Sequence, residues 1–199
     1  MKKKLAQISA GLLLTAVLAG CSAGASGGSM PGMDHGATTP ASSEAGQTKQ
    51  HNAADTMFAQ MMIVHHQQAV EMSSTMLAKS GTSQQVRDLA ITIKAAQGPE
   101  IEKMKSMLAA WGEPESMTGT MSMPGMMGES AQKELAAANG TAADKLFLTQ
   151  MIAHHQGALD SAKTEQQSGK DAEAVELARA IIKNQQPEID EMKKMLSGL

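Results

Sequence analysis

Two pairs of adjacent histidines, each with a methionine just upstream, are the residues of this sequence best suited to chemistry. His65 and His66 lie in the stretch MIVHHQQAVEM, and His154 and His155 lie in MIAHHQGALDS. The chain has six histidines, so these two pairs hold four of them. Imidazole nitrogens and thioether sulfurs are both metal ligands, and their repeated combination indicates a metal-binding role.

The spacing of these residues would bring sulfur and imidazole together on a helix. Residues three or four apart share one helical face, so Met62 faces both histidines of the first pair. Met61 shares a face with His65, and Met151 stands in the same relation to the second pair as Met62 does to the first. The spacing therefore predicts a thioether and imidazole site in each half of the chain.

The ligand types favour a soft metal. Methionine with histidine favours copper, above all Cu(I), and by the same softness argument Ag(I), with Cu(II) as an alternative. Carboxylate-rich iron bundles place glutamate three residues before histidine, a position that methionine holds here. Zinc could use the imidazoles, but the helical region offers no thiolate for a structural site and no His-Glu-x-x-His motif.

Two further methionine clusters lie outside the histidine pairs. One contains Met30, Met33 and His35 in the stretch MPGMDHG, and the other, MSMPGMM, spans residues 121–127. Both lack periodicity, and we expect them to be mobile, exposed secondary ports for the metal. Elsewhere, methionines at helical spacing are more typical of a plain hydrophobic core.

The amino terminus has the features of an export signal with a lipid anchor. Residues 1–20 carry three lysines directly after Met1 and continue in an apolar run that leads into LAGC. LAGC matches the lipobox of bacterial lipoproteins, which implies cleavage before Cys21 and diacylation of its sulfur. Cys21 is the only cysteine, so no intrachain disulfide can form. We expect the mature protein to be anchored to the outer face of the cytoplasmic membrane or to the outer membrane.

The rest of the chain divides into a tether and a helical region. Residues 21–51 are rich in Gly, Ser and Ala, which is typical of a flexible tether. Residues 52–199 carry helical periodicity, interrupted by a connector at 112–130 that is rich in Gly, Pro and Met. The connector separates two halves.

The two halves, 55–111 and 144–197, repeat each other. Phe58 aligns with Phe147 at an offset of 89 residues, and a later PEI motif aligns with its copy at an offset of 88. Two copies of this length are expected to pack face to face rather than fold separately.

Each repeat is predicted to contain two helices. Apolar residues recur three and four positions apart on either side of Pro99 and Pro187, so we expect these prolines to kink their helices without ending them. A short helix at about 130–140, closed by an Asn-Gly pair, is expected before the second repeat. The fold class is therefore all-α, an antiparallel four-helix bundle built from two helical hairpins. The predicted long helices cover 55–79, 83–111, 144–167 and 171–197.

The motif-bearing stretches resemble a known bacterial family. FAQMMIVHHQQAVEM and FLTQMIAHHQGALDSA, followed by PEIEKMKSML and PEIDEMKKML, are similar to the family catalogued as domain of unknown function 305, over about residues 52–199. The resemblance implies a ferritin-like bundle, export to the cell envelope and, for copper-binding members, a part in copper resistance. Ser161 departs from the pattern where Met72 stands in the first half, which puts the equivalence of the two sites in question. The family pattern falls on Phe58, Met62, His65, His66, Met104, Phe147, Met151, His154, His155 and Met192.

These features predict an exported, lipid-anchored protein that sequesters Cu(I) or transfers it to a partner protein, for copper tolerance or homeostasis. No catalytic constellation is recognised, so we do not expect an enzyme. A redox enzyme acting on copper is an alternative, although the cysteine-containing pattern of electron-transfer copper centres is missing. Haem binding is a related alternative, but the sequence lacks the Cys-x-x-Cys-His motif of haem attachment. A metal-independent interaction module, with the histidines as hydrogen-bonded core, is a third.

Charge and composition argue against a nucleic-acid partner. The net charge is −3, only 2% of residues are aromatic, and no basic stripe is present. Four acidic residues near the motifs are expected to be surface or capping charges rather than ligands. They are Glu71, Glu100, Asp160 and Glu188.

Overall fold

Five helices form the part of the chain that the structure describes, which comprises residues 50–117 and 122–199. In this computed structural model those residues contain no strand, which confirms the all-α class. None of these helices combines the length and the apolar character of a membrane span. Cys21, Met30, Met33 and His35 lie outside the described residues. The helices are α1 (Ala53–Ala78), α2 (Gln84–Trp111), α3 (Glu129–Ala137), α4 (Gly140–Ser168) and α5 (Ala172–Ser197).

The two repeats form two helical hairpins, α1 with α2 and α4 with α5. The hairpins meet mainly where α1 packs on α4, and the short α3 packs beside these two helices. The arrangement confirms the predicted ferritin-like four-helix bundle.

Methionines and aliphatic residues fill the core where aromatic residues are scarce. Phe58 and Met62 belong to one cluster of buried side chains, and Phe147 and Met151 belong to a second. Equivalent residues of the two repeats therefore occupy equivalent positions in the bundle. Flexible thioethers can fill such a core without the large rigid rings that usually set core packing.

The helix starts follow local capping signals. The Asn52 side chain accepts hydrogen bonds from the backbone N–H groups of Ala54 and Asp55, while the Asp55 carboxylate accepts one from the Asn52 N–H. This capping box starts α1 at Ala53 rather than at the predicted residue 55. Helix α4 starts at Gly140 rather than at residue 144, so the Asn-Gly pair begins this helix instead of closing α3.

Helices α2 and α5 continue through Pro99 and Pro187, as predicted. Leu89 and Ile93 before Pro99, and Met104 after it, are all buried. Burial of this continuous apolar face offsets the backbone hydrogen bond that each proline removes.

Candidate metal centre

The four paired histidines lie on α1 and α4, the two helices through which the hairpins pack against each other. His65 and His66 are on α1, His154 and His155 are on α4, and each has 0% solvent exposure. Adjacent helical residues point about 100 degrees apart, so the members of a pair face different neighbours. We call His65 and His154 the inner histidines, and His66 and His155 the outer histidines.

The inner histidines meet across the contact between α1 and α4. The ring centroids of His65 and His154 are 3.6 Å apart, with their planes tilted by 31°. Each outer ring lies 6.4 Å, centroid to centroid, from the inner ring of its own pair. The four rings therefore form one continuous group, here called the histidine cluster, with nearly equal geometry in the two repeats.

Each outer histidine is hydrogen-bonded to a glutamate from the second helix of its hairpin. The distance from His66 Nε2 to Glu100 Oε2 is 2.8 Å, and that from His155 Nε2 to Glu188 Oε2 is 2.7 Å. Both glutamate side chains are mostly buried, with 15% and 16% exposure. A carboxylate acceptor favours the tautomer with hydrogen on Nε2, which leaves the Nδ1 lone pair free for a metal.

Six ring nitrogens of the histidine cluster are buried without a hydrogen-bond partner of standard geometry, although the Pro124 backbone in the connector makes a weak contact with His65. They are both nitrogens of each inner histidine and Nδ1 of each outer one. Native proteins pair nearly all buried polar atoms, because each unpaired one costs about 1–3 kcal/mol. A metal ion would supply the partner that the protein itself does not, so the residues present fit a metal that accepts imidazole.

Burial keeps the inner histidines uncharged. Desolvation lowers the pKa of His65 to about 3, and the neighbouring outer histidines add to the effect. Desolvation, and after it the proximity of His65, also lowers the pKa of His154. At neutral pH both rings are therefore neutral, and protons do not compete for the lone pairs that a metal would use.

Four methionines of the predicted metal site, two from the helical spacing and two from the family pattern, are buried in the bundle core. Met62 and Met151 lie one turn before the inner histidines, and Met104 on α2 and Met192 on α5 are buried with them in the two clusters. Met61 is half-buried and lines a separate surface pocket. Among the described residues, no three His, Cys, Asp or Glu side chains are grouped to hold a metal. An ion at the histidines would therefore draw on thioethers to complete its coordination.

Part of the connector packs on α4 beside the inner histidines. Residues 122–128, here called the strap, approach α4 so closely that a Cβ on Gly157 would overlap the Pro124 carbonyl. Gly125, with a φ of 83°, lies against the Ala153 carbonyl in the same way. The backbone contact is possible because both positions are glycine.

Gln68 on α1 fixes the strap from the other side. Its Nε2 donates to the Met127 carbonyl at 2.9 Å, and its Oε1 accepts from the Met127 N–H at 2.7 Å. Met123 is buried, and Met126 and Met127 pack against the core clusters. The prediction that MSMPGMM is exposed is therefore wrong for its three described methionines, whereas Ser122 and Pro124 are exposed. Met121 lies outside the described residues.

Two further predictions about the site need correction. The sequence predicted a separate site in each repeat, whereas the structure joins the inner histidines of both repeats in one cluster. Glu100 and Glu188 were expected to be surface or capping charges, but both are hydrogen-bonded to buried histidines. Their occurrence in the PEI motif of both repeats was the signal that could have identified them. Glu71 and Asp160 are exposed, as expected.

The helical region matches a family model described as "Domain of unknown function (DUF305)" over residues 55–196. No curated protein matches the chain. A DUF305 protein from Streptomyces coelicolor that is predicted to be secreted is 32% identical, covering 73% of this chain and 93% of that one, with a TM-score of 0.69. A DUF305 fragment from Deinococcus radiodurans is also 32% identical, covering 74% and 98%, with a TM-score of 0.68.

The solved structures similar to this chain include a metal-bound protein. CopM in its Cu(I)-bound form is 30% identical, covering 72% of this chain and 96% of CopM, with a TM-score of 0.62. CopM has also been solved in Cu(II)-bound and Ag-bound forms. A protein of similar sequence and fold thus holds the metals that the ligand types favour here.

Proposed function

The chain belongs to the DUF305 family, and on this premise we propose that it is an exported copper-binding protein that holds Cu(I) at the histidine cluster. The observation that carries the proposal is the set of buried ring nitrogens without partners. The inner histidines His65 and His154 would supply nitrogen ligands, and Met62 and Met151 would supply thioethers. The copper-bound and silver-bound structures of CopM support the choice of metal.

Burial favours a monovalent ion over a divalent one. The desolvation penalty of an ion rises steeply with its charge, and the histidine cluster has no exposure to water. Neutral imidazoles and thioethers add no charge of their own, while Glu100 and Glu188 lie one ring away from the inner histidines. These two carboxylates would partly balance a positive ion without binding it directly.

The proposal is one of binding and not of turnover. A redox enzyme needs a path by which its oxidant reaches the metal, and all four histidines are fully buried. We therefore expect Cu(I) held by the protein to react with oxygen more slowly than free Cu(I). Accumulation of Cu(II) over many cycles, measured by electron paramagnetic resonance, would instead support the enzyme alternative.

A lipid anchor at Cys21 is part of the same proposal. It is supported by LAGC following an apolar segment, while Cys21 itself lies outside the described residues. The wild-type protein should sediment with membranes in cell fractionation, and Cys21→Ser should not. A Ser22→Ala variant, changed at the neighbouring position, should behave as the wild type. Equal fractionation of all three proteins would rule out the anchor.

An anaerobic titration tests copper binding at the histidine cluster. The full chain carrying Cys21→Ser, so that no free thiol binds copper, competes for Cu(I) with a coloured chelator such as bicinchoninate. The double variant His65→Leu, His154→Leu should lose the tightest binding.

The matched control changes a histidine outside the cluster. His51 is half-buried, stacks on Trp111 and is hydrogen-bonded to Glu113. Because it lies outside the histidine cluster, His51→Leu should keep wild-type copper affinity. The proposal fails if the double variant takes copper from the chelator as well as the wild type does.

A further inference from the structure

A surface pocket ringed by methionines lies between α1, the strap and α4. Its volume is about 270 Å³, and its lining includes Met57 and Met61 from α1 and Met123 from the strap. Met57 is 45% exposed, and Met61 is half-buried. Met57 and Met61 are four residues apart on one helical face, so their sulfurs can approach each other. No histidine lines the pocket.

The repeat supplies an internal comparison for this pocket. The positions equivalent to Met57 and Met61, at the offset of 89, are Leu146 and Gln150 on α4. There Gln150 Nε2 donates to the Ala131 carbonyl of α3, so the equivalent groove is occupied by a helix. At the equivalent positions of the second repeat α3 packs instead, so the internal repeat does not by itself require methionines in this pocket.

The polar lining of the pocket favours a cation. Two acidic residues, Asp160 and Glu165, contribute to the wall, and no lysine or arginine does. Glu165 is 1% exposed, and its carboxyl group is hydrogen-bonded to the neighbouring Asp55 carboxylate behind the wall. The pocket therefore places carboxyl groups, and no cationic side chain, around a bound ion.

We propose that this pocket is a second, solvent-accessible site for a soft monovalent cation, Cu(I) or Ag(I), held by the thioethers of Met57, Met61 and Met123. The inference rests on the proposed function only for its choice of metal, since its ligands are distinct from the histidine cluster. Three thioethers without a thiolate form a soft ligand set that suits these ions. The partial exposure of Met57 and Met61 makes this the more accessible of the two sites.

The test follows the methyl signals of the methionines. The full chain carrying Cys21→Ser is labelled with methyl-¹³C methionine and titrated with Ag(I), a redox-inert substitute for Cu(I). Met57→Leu and Met61→Leu assign their own signals and preserve apolar volume, so each should leave the melting temperature close to that of the wild type. Met195→Leu, at a half-buried methionine that lines a different pocket, is the matched control.

Ag(I) should shift the signals of Met57, Met61 and Met123, and should do so also in the His65→Leu, His154→Leu variant. In the Met57→Leu, Met61→Leu double variant, the Met123 shift should vanish and equilibrium dialysis should show loss of one bound silver ion. The Met195→Leu control should retain both results.

Two outcomes separate this inference from the proposed function. The inference is overturned if silver shifts Met62 or Met151 beside the histidine cluster while the pocket signals stay unchanged. If only the pocket signals shift, the second site stands and binding at the histidine cluster fails. If none of these signals moves, both proposals are wrong.

Discussion

Replacing both inner histidines with leucine should make the metal-free protein more stable. Neutral His65 and His154 each bury two ring nitrogens without a partner of standard geometry, four in all. In the unfolded chain the same nitrogens are hydrated, so their burial opposes folding. Leucine is similar in size to histidine and has no polar atom to leave unpaired.

The expected gain follows from two opposing effects. At about 1 kcal/mol for each unpaired nitrogen, the low end of the usual range, removal of four would stabilise the fold by about 4 kcal/mol. Imperfect packing of each leucine would subtract up to about 1.5 kcal/mol. The net increase in the free energy of unfolding is therefore about 1–4 kcal/mol, which raises the melting temperature by roughly 5 °C or more.

Copper should narrow or reverse this difference in stability. A ligand present at one hundred times its Kd stabilises the folded protein by about 2.7 kcal/mol. The wild type should gain this amount from Cu(I) at the histidine cluster, and the double variant should gain less because it lacks that site. Anaerobic thermal melts by circular dichroism, with chelator or with buffered Cu(I), measure both effects. A metal-free double variant that melts several degrees below the wild type would refute the reasoning, because it would show that the rings stabilise the apo fold.

Three other substitutions test the strap, a buried carboxyl pair and the support of the outer histidines, and Gly98→Ala serves as a control for the first. Gly157→Ala should destabilise the protein by about 1–3 kcal/mol in denaturant titration, because the new Cβ overlaps the strap backbone, and should speed copper uptake. Gly98→Ala, with open space around it on α2, should stabilise by about 0.5–1 kcal/mol. Burial and a hydrogen bond with Asp55 raise the pKa of Glu165 from 4.5 to about 8. The folded state therefore holds this proton more tightly than the unfolded state, and stability should fall as pH rises from 4.5 to about 8 by on the order of 2–4 kcal/mol. Glu165→Gln should remove that loss. Glu100→Gln should weaken Cu(I) binding by about 10-fold, because it removes a carboxylate near the cluster that would partly balance the charge of the ion.

Each of these predictions has a clear contrary result. Equal destabilisation by Gly157→Ala and Gly98→Ala would show that the strap contact is not tight. A pH profile of stability with the same slope in Glu165→Gln and wild type would show that Glu165 is not the titrating group. Glu71→Gln, at an exposed residue of α1, should leave copper affinity unchanged, and an equal loss in both glutamine variants would remove the special role of Glu100.

The repeat made the hairpins predictable from the sequence, but not the way in which they meet. Periodicity and the aligned Phe58 and Phe147 indicate two equivalent helical pairs, because equivalent residues repeat the same burial pattern. The meeting of His65 with His154 depends on how α1 crosses α4, and spacing along one helix does not determine that crossing. The sequence could therefore identify the ligand types while assigning them to two sites instead of one cluster.

The strap shows a second limit of sequence reasoning. Residues 122–128 are rich in Gly, Pro and Met, a composition typical of a mobile loop. Their packed position depends on Gly157, where the other repeat has Gln68. A glycine at one of two equivalent positions reveals a close backbone contact only when the contacting segment is known.

X-ray absorption at the copper edge of the Cu(I)-loaded protein tests the central claim most directly. With one equivalent of Cu(I) bound to the Cys21→Ser chain, we predict both imidazole nitrogen and thioether sulfur as neighbours of the metal. The nitrogen contribution should disappear in His65→Leu, His154→Leu. A spectrum with sulfur alone, or one with nitrogen neighbours that persist in the double variant, would contradict copper binding at the histidine cluster.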